Sequence, residues 1–265
     1  MAEKNKENTL VFDTESYLKS RFYGVDVSDR IIFQLECYHE SFQGFPHSIK
    51  VLDYGTGPVI LSLISATRYA SEIVLSDIAE SNREALWKWL RKDATAFDWS
   101  PYFDHVVQRL EGQGNEEARE REERLREVVK DVAYCDIEED PPIRTTCRGP
   151  YDVVINNMCL GAACHTKEDF VKGIAKLAAL LKPGGVLMSM SSERKMDHCV
   201  AGHYTVGSLN LPALNITGEY VAGVLEQQGF ADIKLKRCAI SCDTTKRYQD
   251  EDFLGFMFIT AKKCT

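Results

Sequence analysis

The chain has 265 residues at a formal net charge of −8, with 44% hydrophobic and 27% charged side chains. That length suits one α/β domain with insertions and falls short of two, and the composition supports a real core and argues against global disorder. The acidic field opposes a phosphate polyanion, and the densest basic stretch, residues 119–126, is matched by Glu116, Glu117, Glu120, Glu122 and Glu123, so no nucleic-acid partner is expected.

Residues 1–45 are polar at the start, without an apolar core of signal-peptide length, and then carry Phe12, Tyr17, Phe22 and Tyr23. Ile49 to Tyr54 reads as a buried strand that ends on Asp53-Tyr54-Gly55-Thr56-Gly57-Pro58. Val59 to Tyr69 then reads as a helix, with Pro58 suited to its first turn. Glu72 to Asp77 is a second strand, and Ser81 to Lys92 a helix with Leu86, Trp89 and Leu90 on one face. Glu116 to Lys130 is a charge-dense helix that reads as a solvated face with i,i+4 pairs. Tyr134 to Ile137 ends another short strand-like segment, and Tyr151 to Asn156 and Val186 to Met190 are further strands. Between those two lies a helix near Lys167 to Leu181, stopped by Lys182-Pro183-Gly184-Gly185. Residues 191–213 form a long insertion, followed by a helix, Thr217 to Gln228, and strands Ile233 to Ile240 and Phe253 to Ala261.

This alternation predicts an α/β, Rossmann-like domain spanning 1–265, with a core at 46–265. Its sheet should be mostly parallel and seven-stranded, closed by a C-terminal antiparallel hairpin, the ending that separates methyltransferase sheets from NAD-binding ones. The longest apolar runs stop far short of a membrane span, so no membrane partner is expected. Nine cysteines without C-x-x-C pairs read as reduced thiols of a cytoplasmic protein, with no metal site.

Chemistry gathers at the strand ends. Gly55 and Gly57 permit positive φ and close approach of a ligand, and the helix expected next would offer free N–H groups to an anion. Asp77, at the end of the second strand, can accept from both hydroxyls of an adenosine ribose; a helix N-cap is the plainer alternative. A dinucleotide fingerprint wants glycine three positions after Gly57, and Ile60 stands there, which disfavours NAD. Asp136 ends the next segment and Asn156-Asn157 the one after, so four motifs fall at four strand ends where open sheets collect ligands.

Tyr17-Leu18, Asp53-x-Gly55-x-Gly57-Pro58, Ser76-Asp77 with Asn82, Phe97-Asp98-Trp99-Ser100-Pro101, Leu110-Glu111-Gly112 and Cys135-Asp136-Ile137 together resemble one family. It is that of the small-molecule amine N-methyltransferases acting on nicotinamide, phenylethanolamine, and thioethers or indolethylamines, and the likeness runs from Tyr17 to Lys262. The resemblance implies S-adenosylmethionine as cofactor, S-adenosylhomocysteine as product, and a small amine or pyridine as acceptor, with nicotinamide the leading single candidate. It implies that residues 1–45 form a lid in which Tyr17 covers the methionine end, with Phe22 or Tyr23 as the second aromatic. Gly55, Thr56 and Gly57 would line the methionine, Asp77 and Asn82 hold the ribose, Asp136 and Ile137 frame the adenine, and Asn157 sit at the transferring end.

The acceptor side departs from the family. Leu61, Asn157 and Met158 replace a Tyr, a Thr and a Leu, and Ser191 stands where the nicotinamide enzyme has an Asp that holds the carboxamide. Ser208 matches its pocket serine across an insertion one residue longer, Tyr204 lies between, and His198 and His203 share the loop. Glu193 is a displaced counterpart of the ammonium-binding glutamates or simply a loop glutamate facing water. No acid–base pair is required, because methyl transfer from a sulfonium rests on alignment and exclusion of water. A monomeric enzyme is the first reading, and a cofactor-binding protein with little turnover, serving as regulator or methyl-donor sink, the second.

Overall fold

The computed structural model describes residues 12–22, 28–195, 202–206, 209–239 and 253–265. Two helices, α1 (Thr14–Phe22) and α2 (Asp29–Phe42), precede β1 (Ile49–Tyr54), β2 (Ala70–Asp77) and α3 (Glu80–Leu90). A short helix α4 (Ser100–Asp104) runs through a π-helical turn, His105–Leu110, toward α5 (Asn115–Val128), β3 (Val129–Cys135) and β4 (Ile143–Arg144). Then come β5 (Tyr151–Asn157), α6 (Leu160–Ala163), α7 (Lys167–Leu180) and β6 (Leu181–Arg194). The chain closes with β7 (Gly202–Val206), β8 (Leu209–Ala213), α8 (Gly218–Gln227), β9 (Phe230–Ala239) and β10 (Phe253–Lys263).

Eight strands form the main sheet in the order β4-β3-β2-β1-β5-β6-β10-β9. The five from β3 to β6 are parallel, and β10 enters antiparallel between β6 and β9. The expected seven strands are thus joined by an eighth, the two-residue β4, which pairs antiparallel with β3 at the edge. Because strand side chains alternate, each central strand feeds a core on both faces. Val51, Val153 and Phe256 join one cluster with α2 and Trp99, while Leu52, Val154 and Met257 join the other with α7 and α8.

Val59 to Tyr69 is not an α-helix. It makes two single 3₁₀ turns, Leu61–Leu63 and Ala66–Arg68. Every residue from Val59 to Thr67 is buried, so this segment has no solvated face to complete an amphipathic helix. Its β-branched and hydroxyl residues also favour other local geometry: the Ser62 hydroxyl leaves the segment to donate to Asp53, and Thr67 donates back to the Leu63 carbonyl.

The Glu/Arg helix is more than a solvated face. Ala118, Leu125 and Val128 of α5 are buried, Glu122 accepts from the Trp89 indole at 2.8 Å, and Arg126 lies 4.8 Å over that ring. Glu111, nearly enclosed, takes a bidentate pair from Arg121 at 2.8 and 3.0 Å. The first residues of the expected insertion are strand, since β6 continues through Ser191 to Arg194 against β10, and the rest holds the β7–β8 hairpin.

Glu193 faces neither water nor a ligand. It is 5% exposed and accepts from the Gly218 N–H that opens α8 at 2.7 Å and from Arg237 Nε at 2.7 Å. A carboxylate at a helix N-terminus is favoured by the helix dipole as well as by the bond. Glu193→Ala should therefore lower unfolding stability by about 1.5–3 kcal/mol, the range for hydrogen bonds to charged groups. Urea unfolding monitored by circular dichroism checks this; an unshifted midpoint would show that the tie contributes nothing.

Candidate functional site

At the carboxyl ends of β1, β2, β3 and β5 the chain opens a cavity of about 270 Å³. Its wall includes Tyr17, Phe22, Gly55, Thr56, Gly57, Asp77, Asn82, Asp136, Ile137 and Asn157, so the ten residues expected around a cofactor are brought together. The cavity continues past β5 to Ser191, Ser192 and Arg194 of β6 and Phe256 of β10. Ser191 therefore shares the cavity. Tyr204 lies in β7 opposite Leu211, and Ser208 and His198 fall outside the described residues.

The glycine turn is built for close approach. Gly55 and Gly57 sit at φ +69° and +64°, in the left-handed region that side chains disfavour. A Cβ on Gly55 would lie 2.2 Å from Cys159 Sγ, so the turn is seated directly on that thiol. Thr56 turns inward: its hydroxyl donates to the Asp53 carbonyl and accepts from the Ser76 N–H, locking β1 to β2. With no α-helix after the turn, any anionic group here meets the amides of the turn itself and not a helix N-terminus.

Asp77 holds the second wall. Its Oδ2 accepts from Gly57 N–H at 2.9 Å, and its Oδ1 from Ala79 N–H at 2.8 Å and Asn82 Nδ2 at 3.1 Å. Asp77 is not the N-cap of α3, which is Ala79 and has no side-chain capping bond; it lies two residues earlier and lines the cavity. Asn82 passes the connection on, accepting from Thr14 of α1 at 2.7 Å. Further along, Asp136 accepts from Glu138 N–H at 3.0 Å, and Lys176 fixes the Ile137 carbonyl at 2.8 Å.

Helix α1 rests on the segment around Trp99 and Tyr102. Phe22 meets Trp99 and Tyr102 edge-on at 5.5 and 6.4 Å, and the Tyr102 hydroxyl donates to the Phe22 carbonyl at 2.9 Å. Tyr17 sits 5.9 Å from Phe22 and 5.2 Å from Phe12. After β5, Met158 adopts φ +58°, a costly conformation for a residue with a side chain, held by its N–H to the Met190 carbonyl at 2.7 Å. The neighbouring Asn157 Oδ1 is buried without a hydrogen-bond donor.

Sequence reasoning missed the residues that α2 and β10 contribute: Arg30, Gln34, Phe253 and Phe256. The available signal was a row of polar side chains, Arg30, Gln34 and Tyr38 at i, i+4 and i+8, set beside the apolar Ile31, Leu35 and Phe42 of the same helix.

Beneath the turn lies Asp53, fully buried, accepting from Ser62 at 2.6 Å through Oδ2 while Oδ1 has no donor. Burial pushes its carboxyl up to about 7, against the Ser62 hydroxyl and with the Asp77 charge adding to the rise. Burial likewise raises Asp77, opposed by its Ala79, Asn82 and Gly57 donors. A carboxyl that holds its proton more tightly when folded favours folding fully below the ordinary 3.8, and that contribution is lost as pH climbs through about 7. Asp53→Asn removes this titration, so its stability relative to the parent should rise from about pH 5 to about pH 8. Urea midpoints of both proteins across that range give the difference; a flat line means that Asp53 is charged throughout.

Comparison with known proteins agrees with this geometry. The model of the NNMT/PNMT/TEMT family matches residues 2–264. Nicotinamide N-methyltransferase of Homo sapiens is 35% identical over 68% of this chain, an alignment that spans 65% of the human protein, a little under two thirds of its length. Indolethylamine N-methyltransferase of Mus musculus is 29% identical over 95% of this chain and 93% of its own. Among solved structures, 1,6-didemethyltoxoflavin-N1-methyltransferase of Burkholderia thailandensis, with 1,6-didemethyltoxoflavin and S-adenosylhomocysteine bound, superposes at a TM-score of 0.53 and 18% identity over 95% of this chain and 85% of that one. The chain belongs to the NNMT/PNMT/TEMT family.

Proposed function

We propose that this protein transfers a methyl group from S-adenosylmethionine to the nitrogen of a small amine or pyridine, and that nicotinamide is the first acceptor to assay. One observation carries the reading. A single cavity joins the ten cofactor-side residues to Ser191, Ser192 and Arg194 beyond them, so its lining extends past the residues expected at the cofactor. A protein that only stored the cofactor would have no use for that extension. The same reading treats the chain as one domain, as its length implies, and as a cytoplasmic monomer.

The residues present suit the cofactor. The buried Asn157 Oδ1 lacks a donor, and the methionine ammonium would supply one. Gly55 and Gly57 leave the turn open to the methionine chain. Asp77 uses three acceptor positions internally, and a carboxylate offers about four, so a ribose hydroxyl can be added beside them. Asp136 and Ile137 would frame the adenine, and Tyr17 and Phe22 would cover the site. When bound, S-adenosylmethionine supplies an electrophilic methyl group on a sulfonium. The protein's own task is to hold the acceptor nitrogen on the far side of that methyl and keep water out, which the aromatic cover does. A pyridine nitrogen needs no base, whereas an ammonium would first have to lose its proton.

Asp77→Ala should weaken S-adenosylmethionine binding by about 1.5–3 kcal/mol, the loss of bonds to a charged acceptor. Calorimetry on the folded variant reads the effect, and undiminished affinity would remove Asp77 from the cofactor. Methyl transfer by the parent protein to members of a panel of amines and pyridines tests the reaction. Cofactor binding without turnover on any of them would favour the storage role.

A further inference from the structure

The acids that line the cavity, Asp77, Asp136 and Glu138, all lie at the β2 and β3 ends; of its three arginines, Arg21 is carried by α1, whereas Arg30 and Arg194 lie toward β6 and β10. Because sheet order runs β3-β2-β1-β5-β6-β10, these two groups of residues face opposite ends of whatever fills the space.

Arg30 stands between two rings, its guanidinium carbon 5.7 Å from the centroid of Phe22 and 5.6 Å from that of Phe256. Among the described residues it makes no hydrogen bond and no ion pair, so its donors are committed to nothing but aromatic faces. Phe256 in turn meets Phe253 edge-on at 5.3 Å, and Arg194, 4% exposed, lies 5.4 Å over Phe253. The two guanidiniums therefore flank one aromatic pair. One turn along α2 from Arg30, Gln34 lines the same cavity at 1% exposure, and its Nε2 has no acceptor. A buried amide donor without an acceptor, beside a guanidinium that meets two rings, makes a corner richer in donors than in acceptors.

Such a corner repels an ammonium and suits an oxyanion. A guanidinium partly removed from water gains most from a carboxylate, which accepts two of its N–H groups side by side. We infer that the acceptor carries an anionic group, a carboxylate or an equivalent oxyanion, on the side away from the nitrogen to be methylated, and that Arg30, Gln34 and Arg194 recognise it. This rests on the methyl-transfer reading and narrows it, placing a pyridine or amine acid ahead of nicotinamide itself. Arg30 stands where the two compartments meet: Phe22 is one of the cofactor-side residues, while Phe256 pairs with Ser192 at the β6 end, beyond the strands holding the glycine turn, and it is toward that side that Gln34 and Arg194 also line the cavity.

The test uses the full chain saturated with S-adenosylhomocysteine and two matched pairs: pyridine-3-carboxylate against its carboxamide, and benzoate against benzamide. The benzene pair has no nitrogen to methylate, so it reads recognition apart from reaction. Calorimetry should find each carboxylate bound at least about tenfold more tightly than its amide, an advantage that shrinks as salt is added. Arg30→Met should erase most of that advantage while S-adenosylhomocysteine affinity holds, and Arg30→Lys should keep part of it. Should Arg30→Met not fold, Gln34→Leu serves, with a several-fold loss expected for the carboxylates alone. Amides that bind as well as the acids, or acids that do not bind at all, overturn the inference. So does an Arg30→Met protein that loses S-adenosylhomocysteine and keeps the preference, since the guanidinium would then belong to the methionine carboxylate. A carboxylated pyridine that binds as expected yet is never methylated counts against the methyl-transfer reading and leaves the recognition of the anion standing.

Discussion

One carboxylate ties the site together. Asp77 reaches from the end of β2 to the Gly57 amide on the turn after β1, to the Ala79 amide where α3 begins, and to Asn82 within α3. Through Asn82 the network continues to Thr14, so the sheet, the glycine turn, the helix behind it and the N-terminal helix share one anchor. A buried charge of this kind persists only when its donors are supplied by surrounding structure. Two of the three donors are backbone amides, Gly57 in the turn after β1 and Ala79 just before α3, so one carboxylate bridges the glycine turn and the start of the helix.

The other end of the cavity is organised differently, by rings and not by a hydrogen-bond network. Phe22, Phe256 and Phe253 form a surface on which the arginines rest, and the FDWSP segment supports it from below through Trp99 and Tyr102. The two halves thus have distinct physics: a polar, charge-fixed half over β2 and β3, and an aromatic half with cationic edges over β6 and β10. Joining them involves both the parallel strands and the reversed β10, which carries Phe256 beside Arg30 and Phe253 beneath Arg194.

Much of this was legible in the amino-acid order. Strands buried on both faces and broken by Gly-x-Gly, Asp and Asn-Asn announce themselves through apolar runs and their terminators, and the residues at their ends were the ones found in the cavity. What failed did so for tertiary reasons. Val59 to Thr67 has the length and spacing of a helix, yet burial on all sides let the Ser62–Asp53 bond and close packing decide its shape. Glu193 looked like an exposed or ligand-facing acid because its partners, Gly218 and Arg237, are distant in sequence. Arg30 and Gln34 were overlooked for a related reason: their spacing marks one side of a helix, but the cavity they line is completed by β10, a strand from the opposite end of the chain.

The seating of the glycine turn on Cys159 links two positions that share no local segment. The space a side chain at Gly55 would take is already filled by the Cys159 sulfur, at 2.2 Å from the place of its Cβ. Neither site can therefore drift alone: enlarging the first demands a glycine at the second, and enlarging the second presses on the backbone that carries the turn. Among related chains the two should vary as a pair, the volume given up at one accompanying any gained at the other. An engineer changing the acceptor side through the start of α6 would meet this limit first, as a shift in the cofactor turn brought about by steric volume alone.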